Sequence, residues 1–319
     1  ILNADPAVLA ERVFAPWPDF EAELRQSRVP LASLENAIPL AGFDIVGFSL
    51  LYELNYSNVL TILDLGGIPL FSRDRGRSHP LVIAGGPAAF NPEPVADFFD
   101  LMLLGDGEEA FPEIIAKYKA LRQAGLERAA LLKELASIEG VYVPSLYRPV
   151  RQGRSPLLVP QPLAGAPTRI RKRVLKGFRR SFFPEKIIVP SLRVVFDRVA
   201  MEAARGCPQN CRFCQASSLY FPHRTKDPSF VVKTMLRSLR QTGYEDCSLS
   251  ALSISDYPRL EETVRCLMDR LGPEKISLSL SSLRPRGLSR GIVDSILKVR
   301  KTGFTLVAEA GTERLRAVV

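Results

Sequence analysis

Cys207, Cys211 and Cys214 stand in the run Arg205-Gly-Cys-Pro-Gln-Asn-Cys-Arg-Phe-Cys-Gln215, a C-x3-C-x2-C spacing that follows a strand-like run at 199–204. Three thiolates this close can converge on one face of a cubane iron–sulfur cluster, whose irons prefer soft sulfur ligands. A [4Fe–4S] cube takes four ligands, and no fourth cysteine lies near this run. That leaves one iron open to a substrate. The competing chemistries are structural zinc and buried thiols. Structural zinc wants four Cys or His ligands in paired spacings. The chain has two histidines, His79 and His223, and neither pairs with the cysteines in that way. The spacing favours the cluster.

The elements that must hold this loop read as strand–helix units. Candidate strands lie at 199–204, 246–254, 275–282 and 304–310, with candidate helices at 229–242, 260–270 and 289–301 between them. In (β/α) barrels the active residues gather at the carboxyl ends of strands, which is where the cysteine loop falls. The first part of the chain repeats the pattern. Short apolar, β-branched runs at 43–51, 80–84 and 99–104 read as buried parallel strands, and helical patterns cover 56–65 and 109–122. Glycines close these strands, as at Gly85-Gly86 and Gly105. The fold class is therefore α/β, with a doubly wound parallel sheet first and a partial barrel last. Ligands of such sheets sit at the carboxyl ends of the strands.

Composition bounds the function classes. Of the 319 residues 46% are hydrophobic and 24% charged, the profile of a soluble globular protein. No apolar stretch approaches the ~20 residues that span a membrane, and the N-terminus shows neither a signal peptide nor an initiator Met. Membrane partners are not expected. Five cysteines, three of them in one motif, point to a reducing cytoplasm rather than a disulfide framework. Cys247 and Cys266 read as core thiols, and His79 as a solvated turn residue.

The formal charge of +9 is uneven. Between Arg148 and Arg193 there are twelve Lys or Arg and one acid, Glu185, so the rest of the chain holds 31 basic and 33 acidic residues. This Pro-rich segment, with its run Arg169-Ile-Arg-Lys-Arg-Val-Leu-Lys176, reads as a solvated connector. The alternative is a surface for the phosphates of a cofactor or of RNA. No aromatic single-strand platform accompanies it, so RNA stays the lesser reading.

The cysteine motif strongly resembles the radical S-adenosylmethionine (SAM) superfamily. The resemblance implies that the open iron chelates the amino and carboxylate groups of SAM. One electron, from a reductant such as a flavodoxin or ferredoxin, then cleaves the sulfonium to a 5′-deoxyadenosyl radical. Phe213 matches the aromatic residue that family members place before the third cysteine, near the adenine. Residues 1–140 resemble the cobalamin-binding domain that often precedes the radical-SAM barrel. The resemblance rests on Ser49-Leu50-Leu51 and on Gly85-Gly86, whose small side chains would admit the cobalamin tail. The family's Asp-x-His-x-x-Gly signal is absent, so no cobalt-ligating histidine is expected here and cobalamin binding stays open.

In the barrel region, Ser253 and Asp256 of Ser250-Ala-Leu-Ser-Ile-Ser-Asp256 replace the Gly-Gly-Glu that usually receives the SAM amino group. Ser281-Ser-Leu-Arg284 is similar to the Ser-Leu-Arg run of cobalamin-linked relatives, a resemblance that implies a pairing of Arg284 with the SAM carboxylate. Glu309, in Val307-Ala-Glu-Ala-Gly311, is placed like the polar residue that holds the ribose hydroxyls. The expected organisation is a cobalamin-binding-like domain over 1–140, a basic connector over 141–193 and a radical SAM barrel over 194–319. The resemblance has the domain begin within its first helix and the barrel stop short of its last strands. No catalytic residue is assigned. Methyl transfer to an unactivated carbon and methylthiolation both remain open as overall reactions. The rival classes are a non-catalytic iron–sulfur module, which would need a fourth cysteine ligand, and an RNA-binding protein stabilised by zinc.

Overall fold

Runs of buried Val, Ile and Leu, closed by glycine or acid, build the first sheet. The computed structural model describes residues 1–153, 155–184, 187–192, 194–300 and 307–319. It divides into two compact units, Ile1–Leu175 and Lys176–Val319. The boundary falls inside the segment expected to be a connector.

The first unit runs α1 (Pro18–Ser27), β1 (Ile45–Ser49), α2 (Tyr56–Leu65), β2 (Leu81–Gly85), β3 (Leu101–Leu103), α3 (Gly107–Gln123), α4 (Arg128–Leu135) and β4 (Val141–Tyr142). The sheet order is β1-β2-β3-β4. β1, β2 and β3 are parallel, with Ser49 opposite Gly85, and β4 returns antiparallel to β3. β2 and β3 carry apolar residues at successive positions because both faces are covered. On one face Val82, Ala84 and Met102 pack with Leu50, Leu63 and Phe99. On the other, Leu81, Ile83, Leu101 and Leu103 pack with Ile114 of α3 and Leu135 of α4. This is the doubly wound arrangement.

A buried ion knot ties β2 to β3. The Asp100 carboxylate accepts from the Val82 N–H at 2.7 Å, from Arg75 at 3.1 Å and from Arg128 at 2.7 Å. The Arg75 and Asp100 side chains are 0% and 1% exposed. Arg75 also donates to the carbonyls of Pro69, Leu70 and Phe98, so its donors are used within the protein. Buried charges persist where partners and carbonyls replace water in this way.

The segment expected as a solvated connector contributes structure. β5 (Tyr147–Arg151) and β6 (Leu158–Pro162) form an antiparallel hairpin. Further on, Arg173 forms a parallel bridge with Gly105, and its N–H donates to the Leu104 carbonyl at 2.8 Å. Its guanidinium is met by Glu113 at 3.0 Å, Glu109 at 3.7 Å and Glu139 at 4.0 Å. The reading of this run as wholly solvated is corrected at Arg173. Three acids distant in sequence claim it.

The second unit runs β7 (Val199–Glu202), β8 (Ala204–Arg205), α5 (Ala216–Leu219), β9 (Arg224–Thr225), α6 (Pro228–Thr242), β10 (Asp246–Ser250), α7 (Leu260–Leu271), β11 (Ser277–Leu280), α8 (Arg290–Leu297) and α9 (Glu313–Val318). β10 pairs in parallel with β7 on one side and β11 on the other. Asp227 caps α6 ahead of Pro228, and Ser289 caps α8, both favoured at helix starts. The core joins Val199, Met201 and Leu249 of the strands to Met235, Val264 and Leu267 of the helices. Cys247 is fully buried there. Cys266 is partly buried and packs against the edge of that core, with the Arg270 guanidinium 2.7 Å from its sulfur. The helical period points 264, 267, 268 and 271 inward and leaves 266 on the flank of α7. Of the candidate strand at 304–310, residues 304–306 lie outside the described residues, and 307–310 form no strand. Residue 301, the end of the expected helix at 289–301, also lies outside them. Among the described residues no helix is long and apolar enough to cross a membrane.

Two outcomes follow from these packings. Asp100→Ala leaves two guanidinium groups in the first unit without their carboxylate, and should cost about 3–5 kcal/mol in urea unfolding. A loss below about 1 kcal/mol would show that the knot does not hold the sheet. In the second unit, burial pushes the Cys247 thiol up to about 12, with Asp246 adding to the rise. An unfolded thiol ionises near about 8.5. Above that pH the unfolded chain releases a proton that the folded chain keeps, so stability falls as pH rises. Between about pH 9 and 10 the share of that slope due to Cys247 should be about 1 kcal/mol per pH unit, beside a share from buried tyrosines such as Tyr220 and Tyr257, which burial also pushes up. Cys247→Ala should reduce the slope by about that share, about 1 kcal/mol per pH unit, in unfolding measured across the same window.

Candidate functional site

The cysteine loop begins at the end of β8. Gly206 stands at φ 85, and a Cβ there would lie 2.6 Å from the Tyr220 carbonyl oxygen and 3.0 Å from the His223 Cα. Only glycine lets the loop leave the strand against that turn. β8 pairs antiparallel with β9, Ala204 opposite Thr225 and Arg205 opposite Arg224. The cysteines thus ride on an insertion closed at its base by a two-residue ladder.

A buried aromatic ring supports that base. Phe178 is 3% exposed, and three cations stand over its ring: Arg205 at 5.1 Å, Arg224 at 5.4 Å and Lys226 at 4.6 Å. Cations near a desolvated ring face are attracted to its quadrupole. Arg205 also grips Glu202 with two bonds of 2.9 and 2.8 Å, and the buried Lys226 donates to the Ser181 carbonyl at 3.2 Å.

Cys207 and Cys211 are half-exposed and Cys214 is exposed; all three are free thiols. The Cys214 N–H donates to the Cys211 carbonyl at 3.0 Å, closing a turn. Among the described residues no three Cys, His, Asp or Glu side chains are grouped as ligands of one metal ion. A single zinc ion crowds its sulfurs, since each Zn–S bond is about 2.3 Å. A cubane instead sets each thiolate on its own iron. Three thiols on one loop are the soft donor set that such a cluster takes.

The parallel order of β7, β10 and β11 places three candidate segments at one carboxyl edge: the cysteine loop, 250–256 and 281–284. The Gln209 amide, between the first two cysteines, donates to both Asp256 oxygens at 3.0 and 3.1 Å. The Arg284 N–H donates to the Ser255 hydroxyl at 2.8 Å, and Gly287 is needed because a Cβ there would overlap Ser255. The Arg284 side chain is exposed, as is Phe213. Ser253 is 4% exposed, and its hydroxyl is buried without a hydrogen-bond partner. Glu309 differs from expectation. It is exposed at φ 62 in a tight turn, where the Ala310 N–H meets the Ala308 carbonyl at 2.7 Å. That turn bends the backbone away from a strand.

Gln209, Phe178 and Lys226 were not singled out by sequence reasoning. Gln209 carried one signal, its position within the cysteine spacing. The other two carried none.

The first unit has its own concavity, a cleft of about 920 Å³ whose lining includes Ser49, Gly85, Gly86, Gly105 and Phe111. The three residues read as cobalamin contacts therefore share one cleft at the carboxyl ends of β1 and β2. Gly86 stands at φ 100, with the Leu50 carbonyl oxygen 2.6 Å from where a Cβ would be. His79 lies in a turn outside the lining, where its Nδ1 accepts from the Gly76 N–H at 2.9 Å.

Residues 1–144 match the family described as radical SAM proteins, N-terminal. An uncharacterised protein of Methanocaldococcus jannaschii is 25% identical over 311 residues, covering 93% of this chain and 56% of that protein. Among solved structures, the chain is similar to the radical S-adenosylmethionine methyltransferase TsrM of Kitasatospora setae, determined with tryptophan and a SAM analogue bound. The TM-score is 0.51 at 13% identity, over 93% of this chain and 52% of that one. The cobalamin-dependent radical enzyme OxsB, determined with aqua-cobalamin and SAM bound, gives a TM-score of 0.45 at 15% identity, over 80% and 33%. The chain spans about half the length of the Methanocaldococcus protein and of TsrM. The fold is a Rossmann-like α/β domain followed by a second α/β unit, similar to the fold of TsrM.

The two glycine and serine positions of the cleft should behave differently on substitution. Gly86→Ala meets both a left-handed φ and the Leu50 backbone, and should destabilise the first unit by more than about 1 kcal/mol. Ser49→Ala, at an exposed strand end, should leave the unfolding midpoint within about 0.5 kcal/mol of the parent. Equal midpoints for all three proteins would remove the argument that Gly86 is fixed by close backbone approach.

Proposed function

We propose that this chain, whose residues 1–144 match the family of radical SAM proteins, N-terminal, serves an enzyme that cleaves S-adenosylmethionine reductively, with Cys207, Cys211 and Cys214 holding a [4Fe–4S] cluster. The carrying observation is the C-x3-C-x2-C loop at the carboxyl edge of a parallel sheet. When bound, the cluster supplies the electron and an open iron for SAM. The chain's own residues orient and shield. The pedestal of Phe178, Arg205, Arg224 and Lys226 fixes the base of the loop. Phe213, exposed beside the third cysteine, offers an apolar face to the adenine. Arg284, exposed at the next-but-one strand end, presents a guanidinium suited to a carboxylate. Ser253 and Glu309 are the remaining candidates for SAM. The electron would come from a small reductant protein such as a flavodoxin or ferredoxin.

The cleft of the first unit supports a second cofactor, cobalamin. Ser49, Gly85 and Gly86 leave room at two adjacent strand ends, where doubly wound sheets take nucleotide-like ligands. No histidine lines the cleft, so the cobalt would be held without a histidine from the described lining. With both cofactors the fitting reaction class is methyl transfer to a carbon centre, with methylthiolation the alternative outcome. An RNA reading loses part of its footing, since Arg173 of the basic run is engaged by three glutamates.

Anaerobically reconstituted full-length protein should hold iron and sulfide and release 5′-deoxyadenosine from SAM when reduced. Cys211→Ala should abolish both properties, since a methyl group cannot replace a thiolate ligand. Full iron retention and SAM cleavage by that variant would overturn the assignment. Hydroxocobalamin added to full-length protein should show a spectral shift, and Ser49→Leu, which fills the cleft, should weaken binding at least about tenfold. No shift at high corrinoid concentration would mark the cleft as a non-binding relative.

A further inference from the structure

We infer that Asp256 acts on the cysteine loop rather than on substrate: with Gln209 it forms a latch that holds the loop in place before any cluster binds. The inference rests on the reading of residues 207–214 as a cluster loop only for its purpose, not for its geometry. Gln209 lies midway between Cys207 and Cys211, and its amide nitrogen reaches both carboxylate oxygens of Asp256 at 3.0 and 3.1 Å. Hydrogen bonds to an ionised group are the stronger class. Among the described residues no other side chain of 207–214 is hydrogen-bonded to the sheet edge. The loop's remaining bonds are backbone ones, Cys214 to Cys211 and Arg212 to Val319.

The acceptor is itself immobile. Asp256 ends a 3-10 turn, Ile254–Asp256, set between Ile254 and Tyr257, which are 0% and 3% exposed. The Tyr257 hydroxyl donates to the Lys226 carbonyl at 2.9 Å, which ties the turn to the strand after the cysteine insertion. Next to Asp256, Ser255 accepts from the Arg284 N–H. One chain of bonds therefore runs from the middle of the cysteine loop, through the β10 turn, to the backbone that carries Arg284. A loop that must bring three thiolates together loses less freedom on binding if its midpoint is already fixed. Asp256 and Gln209 are positioning residues in this scheme.

The five cysteines supply their own readout in the metal-free, reduced full chain. Iodoacetamide alkylation, resolved by mass spectrometry, reports Cys207 and Cys211 as the loop, exposed Cys214 as an internal reference and buried Cys247 as a monitor of folding. Asp256→Ala and Gln209→Ala should each raise alkylation of Cys207 and Cys211 about fivefold relative to Cys214, the loss expected for one partly exposed, charge-assisted bond. Gln209→Glu, which opposes two carboxylates, should do the same. Combining Gln209→Glu with Asp256→Asn restores an amide–carboxylate pair with its polarity reversed, and should bring the rates back within about twofold of the parent. If Cys247 becomes reactive in Asp256→Ala, Gln209→Ala decides, because it removes the donor and leaves the core turn untouched. Unchanged Cys207 and Cys211 rates in Gln209→Ala, or failure of the swapped pair to rescue, overturns the latch. If the alkylation pattern holds but wild-type protein takes up no iron, the latch stands and the cluster reading fails. If alkylation is unmoved in Asp256→Ala while SAM binding to the reconstituted protein is lost, Asp256 acts on SAM and the inference is wrong.

Discussion

Parallel pairing of β10 with both β7 and β11 is the constraint on which the candidate site depends. Parallel strands send all their carboxyl ends to one edge. Segments that are distant in sequence, near 207, 256 and 284, are thereby delivered to that edge with no contact between them required in advance. Side chains then refine what topology has assembled. Gln209 meets Asp256, and Ser255 meets the backbone of Arg284. Slipping β10 by one residue would turn Cys247 and Leu249 outward and destroy the core and the edge together.

The first unit obeys the same rule with different means. Its strands are too short for their ladders alone to fix their register, β3 being three residues long. The Asp100 carboxylate supplies what the ladder lacks, accepting from the backbone of β2 and from two arginines on separate segments. The carboxyl ends are left to residues without bulk, and the cleft opens there. Gly105 serves twice, lining the cleft and leaving space for the backbone of Arg173, which lies 2.1 Å from where its Cβ would be.

Much of this was legible from the residues. The cysteine spacing, the buried strands and the helix at 56–65 are local signals, and local signals survive into the fold. Ser49, Gly85 and Gly86 were picked out by the resemblance to a cobalamin-binding domain, and they line one cleft. What escaped notice involves pairing over distance. Nothing near Asp100 announces Arg75 and Arg128, and nothing near Gln209 announces Asp256. Arg173 was counted as a solvated charge because Glu109, Glu113 and Glu139 lie far from it in sequence. Cys266 was assigned to the core on residue type alone, and the phase of α7 sets it at the edge of the core rather than in its centre. Glu309 was read as a strand end from an apolar flank, and the backbone turns there instead.

The ring of Phe178 has a consequence for how this sequence can drift. Leucine would nearly match its volume and would satisfy the core, yet it has no quadrupole to offer the charges stacked on it. Size alone therefore does not define what is tolerated at that position. Related sequences should keep an aromatic residue there wherever Arg205, Arg224 and Lys226 are all retained, and should exchange it for an aliphatic one only where the charges have been lost as well. In an alignment the four columns would change together, and this covariation would mark the pedestal even where the cysteine loop itself does not vary.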